Sequence, residues 1–236
     1  TRESRNIIVV SKSTKDSAFI NSNKFASPQK ILYINGKTNK SLVDQINKTA
    51  RKAINTFKAN EIKEKQKRIK NSILKTKEFD SLGIRLTMSS GYKLFKKETV
   101  NKLWFQRETQ KGSVNILAYI LPYSAENPSL ERIISIRDSV GKAFVPGRNK
   151  DSYLITEEAY MPYFFKTKIN SLTAFETRGT WEVVNDYMAG PFLNYFIKDK
   201  KNNRTIVLEG FVFSPSVRKR EYLVEIEAII RSLKIL

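Results

Sequence analysis

A chain of 236 residues, 40% hydrophobic and 11% aromatic, holds enough apolar material for a core; wholesale disorder is excluded, and one large or two small domains stay open. Cysteine and histidine are both absent, which excludes disulfides, thiolate zinc sites, cysteine nucleophiles and histidine general bases. The net charge is +20, and residues 1–75 carry eighteen basic against five acidic side chains, a field that draws polyanions unless it serves solubility alone.

Arg5–Val10 reads as a buried strand and Lys30–Asn35 as another, stopped at Asn35-Gly36, with a short edge strand at Ala18–Ile20 between them. Ser41 and Asp44 form a capping box for a long helix with the stripe Leu42, Ile46, Ala50, Ala53, Ile54 and Phe57. The pattern carries that helix from about residue 41 to about residue 80, with Gly83 as its stop. Glu61–Lys70 is nearly all charged. It is either a solvated connector between domains or a docking face built from Lys63, Lys67, Arg68 and Lys70.

From Ile84 the chain is dense in strands: Ile84–Met88, Tyr92–Lys96, Leu103–Arg107 and Val114–Leu121. A helix opens at Asn127-Pro128, buries Leu130, Ile133, Ile134 and Val140, and ends at Gly141. Four further strands follow at Phe164–Ile169, Leu172–Val184, Pro191–Lys198 and Thr205–Phe213, with turns at Asn170-Ser171, Met188-Ala189-Gly190 and Asn202-Asn203. The closing helix is opened by Ser214-Pro215-Ser216, with Tyr222, Leu223, Ile226, Ile229, Ile230 and Leu233 as its stripe. The expected fold class is α+β: residues 84–236 form an antiparallel sheet with two helices covering one face. Residues 1–83 form a small α/β unit with too little material to bury its own faces, which leans on the rest or lacks an upstream part.

Three groups of side chains are candidates for function. At the start of the last helix, Ser214 and Ser216 stand by free backbone N–H groups, with Arg218, Lys219 and Arg220 in the first turn. Cations there oppose the helix dipole, so a phosphate, carboxylate or lipid headgroup would offset the cost, unless Glu221 and Glu225 already do. Tyr160, Met161, Pro162, Tyr163 and Phe164 lie together, while Trp181, Tyr187, Met188 and Phe192 flank Gly190-Pro191. Aromatics in loops beside Pro or Gly are interface anchors where they are not core, which makes Tyr160, Tyr163, Trp181, Tyr187 and Met188 the interface candidates. Glu157, Glu158 and Asp138 are the acids to consider for proton transfer; the adjacent glutamates diverge on a strand or a helix and make no dyad. Gly141 and Gly147 frame a turn rather than a phosphate-cradling loop, and no catalytic residue, metal ligand or cofactor is expected.

Seven blocks stand in fixed order: RNIIVV, EIKEKQKRIKNSI, RDSVGKAFVPG, ITEEAYMPYFF, TRGTWEVVNDYMAGPFLNYFIKD, NNRTIVLEGFVFSPSVRKREY and EIEAIIRSL. Over essentially the whole chain they closely resemble a family of Bacteroidota envelope lipoproteins catalogued as domain of unknown function 4837. The resemblance implies a signal peptide, a lipidated cysteine and more α/β domain before Thr1. It therefore implies export and anchoring through acyl chains, on either side of the outer membrane. It brings no activity with it, so no residue inherits a role. From Ile84 onward the layout also resembles the PsbP/Mog1-type sandwich, which serves as a binding or assembly module. The expected function is non-catalytic docking on an envelope protein, or scaffolding of an outer-membrane or secretion assembly. The alternative is binding of an anionic envelope ligand such as lipopolysaccharide, anionic lipid or peptidoglycan. Hydrolysis of an envelope polymer ranks lower, and nucleic acid is not an expected partner.

Overall fold

The computed structural model describes residues 3–98 and 101–236, which divide into two compact units, Thr1–Lys67 and Arg68–Leu236. In the first, β1 (Asn6–Lys12) pairs in parallel with β3 (Lys30–Gly36), and β2 (Ser17–Ser22) pairs antiparallel on its other side. The alternation of β2 and β3 sends Ala18, Ile20, Leu32 and Ile34 to one face, where Leu42, Ala53 and Phe57 of α1 (Asn39–Ile69) close over them.

Helix α1 departs from the expectation at both ends. Thr38, not Ser41, is the capping residue. Its Oγ1 accepts from the Ser41 N–H, while the Ser41 Oγ accepts from the Thr38 N–H, a reciprocal box one turn earlier than expected. The helix stops at Ile69 rather than near residue 80, because Ser72–Leu74 pairs with Met88–Ser90 instead. Ile69, Ile73 and Leu74 fit a helical period equally well, so the apolar pattern runs on past the real end. Gly83 caps a separate 3-10 turn, Glu78–Leu82, in the left-handed region. Two residues of the expected stripe, Ile46 and Ile54, are exposed. Within the charged stretch Glu61 and Ile62 are buried, so it is not wholly solvated. Glu61 takes a fork from Arg5 at 3.0 and 2.6 Å and the Asn6 amide at 2.7 Å.

The second unit is built on an antiparallel sheet of β5 (Lys93–Glu98), β6 (Lys102–Thr109), β7 (Gly112–Pro122), β8 (Leu154–Thr156), β9 (Tyr163–Ile169), β10 (Leu172–Val183), β11 (Asp186–Asp199) and β12 (Arg204–Phe213). Their order is β5-β6-β7-β12-β11-β10-β8, with β9 on the same edge of β10 as β8. The strand expected at Ile84–Met88 is only the two-residue β4 (Ile84–Arg85), paired with β13 (Lys234–Ile235) at the far end of the chain.

The two helices lie on opposite faces of this sheet, not on one. Ile133 of α2 (Leu130–Phe144) packs with Tyr119, Phe175, Phe196 and Val207, whereas Tyr195, which points the other way, meets Glu227 of α3 (Arg220–Ile230). This explains why β7, β11 and β12 bury nearly every residue: both faces are covered, and the strands read as apolar runs rather than as alternation.

Two glycines expected to terminate elements sit inside them. Gly141 lies in α2 because the Leu154 carbonyl oxygen passes 2.0 Å from where a Cβ would stand. Gly190 lies in β11 because the Val212 carbonyl oxygen comes within 2.1 Å of the same point, and the chain reverses earlier, at Asn185. The division at Lys67–Arg68 also falls before the expected boundary at 83. Residues 73–90 belong with the sheet: Phe79 stacks on Phe105, and Arg204 donates to the Leu82 and Gly83 carbonyls. No helix among the described residues is long and apolar enough to cross a membrane.

Candidate functional site

The edge of the sheet at β10 is occupied in turn by β8 and β9, and the chain between them leaves the sheet after Glu157, whose N–H still donates to the Thr180 carbonyl at 2.9 Å. It turns sharply as Glu157 Oε1 accepts from the Ala159 N–H at 2.7 Å. Tyr160 and Met161 then stand in solvent, 73% and 82% exposed. On β9 the side chains alternate. Phe164 turns inward and stacks on Phe175 at 6.0 Å, while Tyr163 and Phe165 turn outward, stack on each other at 6.4 Å and stay 71% and 49% exposed. Four large apolar side chains within six residues thus share one sheet edge. The outer side of β9 has no further strand among the described residues, so its backbone remains open to pairing.

The register pairs Tyr163 with Arg178 and Phe165 with Glu176, so the exposed rings flank an ion cluster beneath α3. Arg178 donates to Glu176 Oε1 through Nε and to Glu227 Oε2 through Nη2, the latter at 2.8 Å. Arg231 donates to Glu227 Oε1 at 2.8 Å, and the buried Tyr195 hydroxyl donates to Glu176 Oε2 at 2.7 Å. Burial, followed by the Glu227 and Glu176 charges, pushes the Tyr195 phenol far above its ordinary value, so it stays a donor. Burial opposes the Arg178 charge, yet Glu176 and Glu227 outweigh it and hold the guanidinium up. Two arginines against two glutamates leave the cluster balanced. Its work is to bolt α3 to β10 and β11 and stiffen the floor of the aromatic edge.

The other expected site residues do not join this patch. Trp181 is core: it is 1% exposed and meets Phe211 edge-on at 5.5 Å, with Met188 half-buried against the same cluster. It faces α2 from a strand paired on both sides, so proximity to Gly190-Pro191 does not bring it out. Tyr187 is fully exposed at the β10–β11 turn, about five residues along the sheet from Tyr163, or about 16 Å at ~3.3 Å per residue. Lys63, Lys67, Arg68 and Lys70 are all exposed, and Lys67 is paired with Glu64 at 2.6 Å.

The group at the last helix is rearranged. α3 begins at Arg220, so Ser214 and Ser216 precede it and Arg218 lies outside its first turn; Lys219 is the cap position but makes no side-chain cap bond. Pro215 and Ser216, the latter in the left-handed region, shape a turn instead of a helix start. Arg220 is paired with Glu221 at 2.9 Å, and Ser214 is buried. Asp138 is also structural: it accepts from the Thr156 N–H and hydroxyl, each at 2.7 Å, tying β8 to α2.

Phe165, just beyond the expected cluster of residues 160–164, belongs to the exposed edge; strict alternation along β9 separates it from inward Phe164. Arg137 was missed as well. It sits in the buried stripe of α2, donates to Glu209 Oε1 at 3.0 Å and to the Thr156 hydroxyl at 2.9 Å, and stacks over Phe192 at 3.9 Å. A cavity of about 650 Å³ beside Tyr123, Arg132, Phe175 and Phe196 also contains Lys198. That ammonium already donates to the Ala125 and Glu126 carbonyls, and burial followed by Lys166 lowers its pKa.

Together these features define a two-unit α+β protein whose larger unit is an antiparallel sheet between two helices, with an aromatic edge. The chain belongs to the family described as Domain of unknown function (DUF4837), whose model matches residues 67–232. Residues 1–70 match a second model, Domain of unknown function (DUF8532), so the likeness expected to run through the whole chain is shared between two families. They meet where the compact units divide. No curated protein matches. Among solved structures the chain is similar to a mutant of the protein Mog1, with a TM-score of 0.41 and 8% identity over 65% of this chain and 90% of that one. It is similar also to the Ran-binding protein Mog1p of Saccharomyces cerevisiae, with a TM-score of 0.39, 8% identity and the same two coverages.

Proposed function

We propose that the chain is a non-catalytic module of the cell envelope that docks on a partner protein through the edge formed by Tyr160, Met161, Tyr163 and Phe165. The observation that carries this reading is the exposure of those four side chains on a stiffened sheet edge. Aromatic side chains lose little entropy on binding, and aromatics and methionine are enriched at the cores of interfaces. The open backbone of β9 adds main-chain donors and acceptors for an extended segment of the partner. Export, an acyl anchor attached upstream of Thr1 and membership of an outer-membrane or secretion assembly form part of the proposal and rest on the envelope-lipoprotein resemblance.

Capture from envelope extract on immobilised protein tests it. Wild-type protein retains one partner in high salt, because apolar contact is not screened as charge is. The Y163S/F165S variant retains at least about tenfold less, the loss expected when two anchors worth more than ~1 kcal/mol are removed. Equal capture by both proteins, or capture abolished by salt alone, would refute the proposed edge.

A further inference from the structure

The first unit contains an open groove of about 790 Å³ along one face of α1, lined by Lys48, Arg51, Lys52, Asn60 and Lys63 together with Lys30 of β3. Lys48, Lys52, Ala59 and Lys63 recur at spacings that bring them to one side of α1, away from Leu42, Ala53 and Phe57, which pack on the sheet; Arg51 flanks that side, and Asn60, three residues after Phe57, borders the packed face. At ~1.5 Å per residue, Lys48 and Lys63 stand about 22 Å apart along the helix axis. Among the described residues none of Lys48, Arg51, Lys52 and Lys63 has a carboxylate within 4.0 Å. The acids of the second half of the helix are taken: Glu61 by Arg5 and Asn6, Glu64 by Lys67. Asn60 is 8% exposed, and its Nδ2 has no hydrogen-bond partner among the described residues. A row of cations without a direct carboxylate partner, beside an amide donor with no partner among the described residues, is a charge distribution open to an anionic ligand.

We infer that this groove binds a linear chain of phosphate groups, recognised by charge alone. No aromatic side chain lines it, so a base or sugar ring would find nothing to stack on. Its sole apolar lining residue is Ala59, so it has no side chain to insert among acyl chains. A chain whose whole surface is phosphate oxygen satisfies the row of donors along its length. This site is independent of the aromatic edge in the second unit.

Titration calorimetry with inorganic polyphosphate, orthophosphate, a dT oligonucleotide and phosphatidylglycerol vesicles tests the inference on the intact chain. Polyphosphate binds, and if four phosphates are neutralised the affinity falls with salt at a log–log slope of roughly −3, or about fifty-fold between about 50 and 200 mM. Orthophosphate at equal phosphate concentration binds at least about tenfold more weakly, because it meets only part of the row. The exposed-site variants K48E/R51E/K52E and K48Q/R51Q/K52Q each lose about tenfold or more. K150E/K200E/K201E, which removes the same charge from the other unit, stays within about twofold. Absence of polyphosphate binding, an equal loss in K150E/K200E/K201E, or tighter binding of the oligonucleotide or the vesicles overturns the inference.

Discussion

Removing the Arg137 side chain is the most searching perturbation of the larger unit. Arg137 and Glu209 are each 1% exposed at the side chain, and both Nε and Nη2 stand 3.0 Å from Glu209 Oε1. R137M keeps the stem that packs on Phe192 but leaves the Glu209 carboxylate buried with only the Asn194 amide, 2.8 Å away, to serve it. Stranding one member of a buried pair costs about 3–5 kcal/mol, a large share of a total of about 5–15 kcal/mol. At about 2–4 °C per kcal/mol for a protein of this size, the melting temperature drops by roughly 6–20 °C. In R137M/E209Q no charge is left stranded, and the glutamine oxygen still accepts from Asn194, so the double variant is more stable than R137M alone by at least about 1 kcal/mol. Urea unfolding followed by tryptophan fluorescence reads this directly, since Trp104 and Trp181 share the core cluster of that unit. Additive losses within about 0.5 kcal/mol would show that the two side chains are uncoupled and refute the reasoning.

Two further substitutions probe other parts of the fold. G141A gains about 1 kcal/mol in helix propensity, yet its methyl would strike the Leu154 carbonyl, and overpacking of about 1–3 kcal/mol outweighs the gain; a variant more stable than wild type in urea would show that α2 and β8 do not pack so closely. Burial alone would raise the Asp199 carboxyl, but hydrogen bonds from Asn202 and Arg204 prevail and hold it below the usual range. Its contribution is therefore complete above the unfolded value of ~3.9 and is lost as pH falls through the lower folded one. Urea midpoints measured from pH 7 down to about pH 2 should show D199N less stable at neutrality and less acid-sensitive below about pH 4. Parallel curves for the two proteins would contradict it.

Most of the strands were legible because each lies between turn residues and is apolar enough to be buried. Asn170, Asn185 and Asn203 take positive φ at three reversals, and two of these were read as turns. What escaped was set by partners distant in sequence. Ile84–Arg85 owes its short ladder to Lys234–Ile235, and Gly141 and Gly190 answer carbonyls of Leu154 and Val212 rather than marking ends. A strand covered on both faces carries no period-two signal, so nothing local said that α2 and α3 take opposite sides. The aromatic segment was legible as a cluster, but only the register of β9 separates outward Tyr163 and Phe165 from inward Phe164. The groove on α1 was hidden because Lys48, Arg51 and Lys52 read as ordinary solvated charge until the structure set them beside Lys30 of β3 and Lys63.

Docking through the β9 edge is tested most directly by placing a photo-crosslinking amino acid at position 163 and irradiating intact cells. The account predicts one discrete adduct from position 163 and none from position 111, an exposed lysine at the β6–β7 turn of the same sheet. No adduct from position 163, or identical adducts from both positions, would contradict it.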